Sequence, residues 1–279
     1  MGLSNRVTER IKAGLKKYQP ILSAAKARDI SESDTSLIIG DMLADLLGYK
    51  KYEEITTELA IRGTSVDLAV KVGNDIRFLI EAKSIGTELK EGHVKQAIDY
   101  GANKGIEWVI LTNGIVWRLY RIHFQKPIEK YLVSNLDLLN TSFKDDKLLT
   151  CLGNLSRESF TESSMTQFYQ QNRVVSKFMI GAVLLSDAVV QATRRELRRL
   201  FPDASVDPEE IRAVVQNDVL KREVVEGDDA GLAQEDMKRA AARVNRAKQK
   251  AASEVHTNPV ATATVAPAMS ELAVVAKTT

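Results

Sequence analysis

Three short apolar segments rich in β-branched residues, 55–61, 65–72 and 76–82, follow one another with only Arg62-Gly63-Thr64 and Gly73-Asn74-Asp75 between them. Runs of that length and composition, punctuated by turn residues, read as strands, and the second separator reads as a hairpin turn. Two helical patterns precede them. Residues 5–18 set Val7, Ile11, Leu15 and Tyr18 on one stripe with Lys and Arg opposite, and Pro20 ends or kinks that helix. The cap-rich run Ser31-Glu32-Ser33-Asp34 opens a second helix carrying Leu37, Ile38, Met42, Leu43, Leu46 and Leu47, with Gly48 as its C-cap.

After the strands, a helix spans 91 to about 104, bounded by Gly92 and Gly105. Strands at 108–112 and 115–122 are joined by Asn113-Gly114, a strong hairpin signal, and 128–133 reads as one more strand. Helix and strand therefore alternate in a way that predicts one α/β domain over residues 1–155, a mixed central sheet flanked by helices. Residues 156–226 read as a small helical appendage, with helices at 160–169, 173–200 and 208–226. From 227 to 279 the chain is Ala/Lys/Arg-rich and then Ala/Thr/Val/Pro-rich. It predicts a basic helix near 234–252 and a disordered tail of roughly the last 25 residues.

The charge balance, 39 Lys+Arg against 37 Asp+Glu for a net +2, excludes a globally basic polyanion binder, so a nucleic-acid surface would have to be local. The single cysteine, Cys151, cannot form an internal disulfide and reads as a small buried hydrophobe. The sequence begins without a signal-peptide core, and its longest apolar run, 178–190, is broken by Ser186 and Asp187. These features predict a soluble, cytoplasmic chain with no membrane partner. No G-x-x-x-x-G-K-[ST] loop and no G-x-S-x-G elbow occurs, and His93, His123 and His256 lack metal-ligand spacing.

What remains lies between residues 58 and 100. Glu81 and Lys83, two apart on one strand, project to the same side. If the hairpin pairs, Asp67 reaches the same point. Two carboxylates meeting there repel without a cation, and a divalent ion on oxygen ligands is an economical resolution.

Asp67 followed by Glu81-x-Lys83 resembles the core of the PD-(D/E)xK nuclease superfamily, which includes restriction endonucleases. Gln96-Ala-Ile-Asp-Tyr100 resembles the Q-x-x-x-Y motif of several of its branches. Residues 94–101 with Trp108-Val-Ile-Leu-Thr-Asn-Gly-Ile-Val-Trp-Arg-Leu-Tyr120, and the earlier Leu46-Leu-Gly-Tyr49, are similar to the N-terminal nuclease domain of type I restriction enzyme R subunits. The likeness covers about residues 30–140. Val66 stands where the family has its naming proline, and the helicase motor of a complete R subunit is absent.

The resemblance implies a restriction-endonuclease-like core and a Mg2+- or Mn2+-dependent endonuclease acting on DNA. Asp67, Glu81 and the Ala82 carbonyl would hold the metal. Lys83 would orient or deprotonate the attacking water, and Gln96 and Tyr100 would bind the phosphate backbone or brace Lys83. The family's first-helix acid is assigned to Asp34, with Glu32 in reserve and Glu58 as an outside alternative. Two other readings stay open: a catalytically silent DNA-binding or scaffold module, and a cleavage subunit that requires a separate motor or specificity subunit.

Overall fold

Helix α1 (Asn5–Ala27) starts at Ser4, whose side chain accepts from the Val7 amide, and buries Val7, Ile11, Leu15, Tyr18, Leu22 and Ala25 along one stripe. The computed structural model describes residues 3–61, 64–124 and 128–256. Pro20 lies inside α1 rather than at its end, on an exposed position, while the buried stripe runs on past it. The expected stop after Tyr18 is thus corrected: packing of Leu22 and Ala25 outweighs the one backbone donor the proline lacks. Helix α2 (Glu32–Asp45) is capped by Ser31 and leads through Gly48, at φ +81°, to the single turn α3 (Lys51–Glu54). Gly14 lets α1 lie directly on the end of α2, since a Cβ there would stand 2.6 Å from Leu46 Cγ.

Six strands follow: β1 (Ile55–Ile61), β2 (Thr64–Val72), β3 (Asp75–Ala82), β4 (Trp108–Thr112), β5 (Val116–His123) and β6 (Glu129–Asp137). They lie side by side in chain order in one mixed sheet. Every neighbouring pair is antiparallel except β3 and β4, which run parallel, Leu79 opposite Val109 through Ala82 opposite Thr112. A parallel pair requires a crossover. It is made by a 3-10 turn (Glu91–Val94) and α4 (Lys95–Lys104), which ends on Gly105 at φ +71°. Strand β6 continues four residues past the expected 133, because its pairing with β5 runs on to Val116 opposite Asp137 across an irregularity at Leu119/Tyr120.

The two faces of the sheet bury different cores. Leu68, Val70, Phe78, Ile80 and Ile110 pack against α1, α2 and α5 (Asp146–Asn154), a helix the sequence reading left unassigned. Leu79, Val109, Leu111 and Tyr120 pack against Val94, Ala97, Ile98 and Tyr100. The chain is therefore an α/β protein with a six-stranded mixed sheet flanked by helices. Phe160, with Met165, Phe168 and Tyr169 of α6 (Glu162–Val174), joins the first core, so packing continues across the domain limit expected at 155.

The remaining helices are α7 (Lys177–Leu184), α8 (Asp187–Leu200), α9 (Pro208–Val214) with a π-helical turn at Val215–Val219, α10 (Arg222–Val225) and α11 (Asp228–His256). The helix expected over 173–200 is three pieces, because Ser176 and Ser186 take N-cap positions within it. The expected disordered tail, residues 257–279, lies outside the described residues. Among those residues, no helix is long and apolar enough to cross a membrane.

Candidate active site

The chemistry-bearing side chains gather where β2 and β3 part. Their last paired residues are Leu68 and Ile80. Beyond that point the Lys83 amide donates to the Thr112 carbonyl of β4 at 2.8 Å, so the Ala82 amide points the other way, towards β2. Asp67 Oδ2 accepts that donor at 2.7 Å. A carboxylate thus replaces a strand-to-strand bond at the end of the hairpin.

Glu81 is 7% exposed, and burial raises its pKa above the ordinary carboxylate value, the nearby Asp67 adding to the effect and the Lys83 hydrogen bond opposing it. Lys83 is held by three oxygens. Its Nζ donates to Glu81 Oε1 at 2.8 Å and to the Ala82 carbonyl at 2.7 Å, and it lies 3.6 Å from Glu32 Oε2. Burial works against the ammonium, but its bond to Glu81 and the charges of Glu81, Glu32 and Asp67 outweigh burial and raise its pKa.

The other expected site residues fall differently. Asp34 folds back on its own helix start, accepting from Ser31 Oγ at 2.8 Å, whereas Glu32, named only as the reserve, turns towards Lys83. The Glu58 side chain lies outside the described residues. Gln96 and Tyr100 do not share one environment. Gln96 is exposed on α4, while Tyr100 is 1% exposed within the second core, its buried hydroxyl without a hydrogen-bond partner among the described residues. Tyr100 packs within the second core, away from the solvent-exposed position of Gln96.

Asn113, expected as a hairpin turn and part of the stretch that carries the resemblance, was given no site role from sequence. Its Oδ1 accepts from the Ile115 and Val116 amides at 3.1 and 2.8 Å, and its Nδ2 donates to the Thr87 carbonyl at 2.9 Å. Thr112 Oγ1 accepts from the Gly114 amide at 2.9 Å. The Thr-Asn-Gly turn therefore fastens both the end of β4 that holds Lys83 and the loop that carries the chain away from it. A turn motif read as a strand connector hides this second duty.

The donor set fits a hard divalent cation. Mg2+ characteristically takes one or two carboxylates and completes its octahedron with water and substrate phosphate. Asp67, Glu81 and the Ala82 carbonyl are such donors. Among the described residues, no three His, Cys, Asp or Glu side chains are grouped closely enough to hold a metal by themselves. Comparison with protein-family profiles, curated proteins and solved structures finds no match.

Proposed function

We propose that this chain is a divalent-metal-dependent DNA endonuclease with a restriction-endonuclease-like core. The observation that carries the reading is the meeting of Asp67, Glu81, the Ala82 carbonyl and Lys83 at the point where β2 and β3 diverge. These are the positions matched by the family resemblance, on adjacent antiparallel strands. Asp67, Glu81 and the Ala82 carbonyl would hold Mg2+ or Mn2+, which when bound polarises a phosphate and lowers the pKa of a coordinated water. Lys83 would orient or deprotonate that water and stabilise negative charge developing on the phosphate. Gln96, exposed on α4, remains the motif residue able to meet the DNA backbone.

A second reading, a cleavage subunit that stays silent until a motor, a specificity subunit or another partner joins it, is favoured by one feature. Two of the three oxygen donors assigned to the metal, Glu81 Oε1 and the Ala82 carbonyl, already hold an internal cation, the Lys83 ammonium. Supercoiled plasmid incubated with the purified chain in Mg2+, Mn2+ or EDTA decides between them. Metal-dependent nicking that EDTA abolishes supports an autonomous nuclease. An intact plasmid in both metals, with the protein demonstrably folded, rejects it.

A further inference from the structure

Lys83 stands to Glu81 and Ala82 as a metal ion would. Its Nζ sits 2.8 Å from Glu81 Oε1 and 2.7 Å from the Ala82 carbonyl oxygen, and the side chain is only 19% exposed. A divalent ion bound to those two oxygens and an ammonium in contact with the same two would repel strongly at such short range. The lysine stem is long and flexible, so its head group can be relocated without moving the strand. Beyond Glu81, the carboxylate in ion-pair range of Nζ among the described residues is Glu32, on the first turn of α2, with Oε2 3.6 Å away. Lys83 is its one ion-pair partner among the described residues. Glu32 is not grouped with Asp67 and Glu81 in a cluster able to hold a metal.

Resting on the metal-dependent reading above, we propose that a divalent ion binds by displacing the Lys83 ammonium from Glu81 and Ala82, and that Glu32 is the positioning residue that receives it. Glu32 then acts through Lys83 and not as a ligand. Metal affinity is set by competition: the fraction of molecules whose lysine already lies on Glu32 is the fraction ready to bind. Receiving the ammonium also fixes where it stands once the metal site is filled, beside the oxygens and not among them.

The test is Mn2+ binding by the full chain, read from the electron-paramagnetic-resonance signal of the free ion, at about pH 8, well above the ordinary carboxylate range. Four proteins are compared: the unmodified chain, Lys83→Met, Glu32→Gln and the double variant, each checked for folding by circular dichroism, with Lys83→Gln replacing the methionine variant if that fails to fold. Lys83→Met should bind Mn2+ more tightly, by the inverse of the fraction of molecules whose lysine lies off the metal oxygens, a gain of roughly tenfold where that fraction is about one in ten. Glu32→Gln should bind several-fold more weakly, and that loss should vanish in the Lys83→Met background. Unchanged affinity in Lys83→Met overturns the displacement. An equal loss from Glu32→Gln in both backgrounds overturns the positioning role and makes Glu32 a ligand.

Glu81→Gln separates the two levels of the argument. If it abolishes Mn2+ binding while Lys83→Met does not tighten it, displacement alone fails. If Mn2+ does not bind, or binds indifferently to Glu81→Gln, the metal-dependent reading fails with it.

Discussion

Lys83 projects from the end of a strand whose backbone is held by Thr112, so its side chain can be shortened without disturbing the sheet. We predict that Lys83→Ala keeps the circular dichroism spectrum and lowers plasmid cleavage by roughly two to four orders of magnitude, the usual worth of a positioned acid–base group. An unaltered rate would move the role elsewhere. Tyr100 supports the opposite expectation. Its hydroxyl is buried without a partner among the described residues, so Tyr100→Phe removes an unsatisfied group and should hold or raise stability by up to about 1–2 kcal/mol in urea unfolding, with cleavage unchanged. A large loss of cleavage would return the hydroxyl to the chemistry. These two residues show what sequence could carry at this scale. A strand's two-residue period puts Glu81 and Lys83 on one side whatever the neighbours do, and the hairpin brings Asp67 across. A helix fixes only the spacing of Gln96 and Tyr100, and its rotation about its own axis, set by packing of Ala97 and Ile98, decides which of the two is buried. Asp34 and Glu32 were separated by a still smaller event, the capture of Asp34 by the Ser31 hydroxyl.

Strands and their turns were legible because short β-branched runs between Gly/Asn/Asp separators admit few other structures. Helix limits were less so, since tertiary packing overrode the local signals at Pro20 and serines at 176 and 186 restarted helices inside the one expected over 173–200. Pro20 is exposed and contributes no buried contact to α1, so Pro20→Ala should stabilise the protein by about 1–2 kcal/mol, less than the full helix-interior penalty because proline also stiffens the unfolded chain. Denaturant midpoints would show it, and a lower midpoint would mean that the proline shapes α1 usefully. The segment joining α5 to α6 is held by charges. Arg10 pairs with Glu158 while donating to the Leu46 and Leu47 carbonyls, and Glu54 accepts from Arg157 at 2.8 Å. The hydrogen bond from Arg157 lowers the pKa of Glu54, and that from Arg10 lowers the pKa of Glu158. Depressed carboxyl pKa values give stability that is complete above the unfolded value, about 4.3 for glutamate, and is lost as pH falls through the folded values. Thermal midpoints should thus hold level above about pH 5 and drop below it, the drop becoming shallower in Glu54→Gln and Glu158→Gln. Variants that melt in parallel with the unmodified chain at every pH would remove these pairs from the account.

At the scale of the whole chain, α6 is packed into the sheet's core, since Met165, Phe168 and Tyr169, with Phe160 just before it, join the cluster beneath the sheet. Any contribution the helices beyond it make to DNA affinity has to be tested within the intact chain. Four arginines cluster on α8, but two are already engaged: Arg194 Nε donates to the Val206 carbonyl at 2.9 Å, and Arg199 pairs with Glu196 at 2.6 Å. Arg195 and Arg198 are exposed, one turn apart on a helix whose buried contact is Val190. If the chain binds DNA as proposed, its nearly balanced charge makes a local pair of this kind a candidate contact to the phosphate backbone. Each phosphate neutralised by an arginine releases counterions, and each such contact steepens the fall of log affinity with log salt by about 0.9 on duplex DNA. Replacing both Arg195 and Arg198 by Ala should therefore lower the magnitude of that slope by roughly 2, measured by fluorescence anisotropy across a salt series with Ca2+ in place of Mg2+ to prevent cleavage. The same slope in variant and unmodified chain would place α8 away from DNA and leave its exposed arginines to another partner or to solvent.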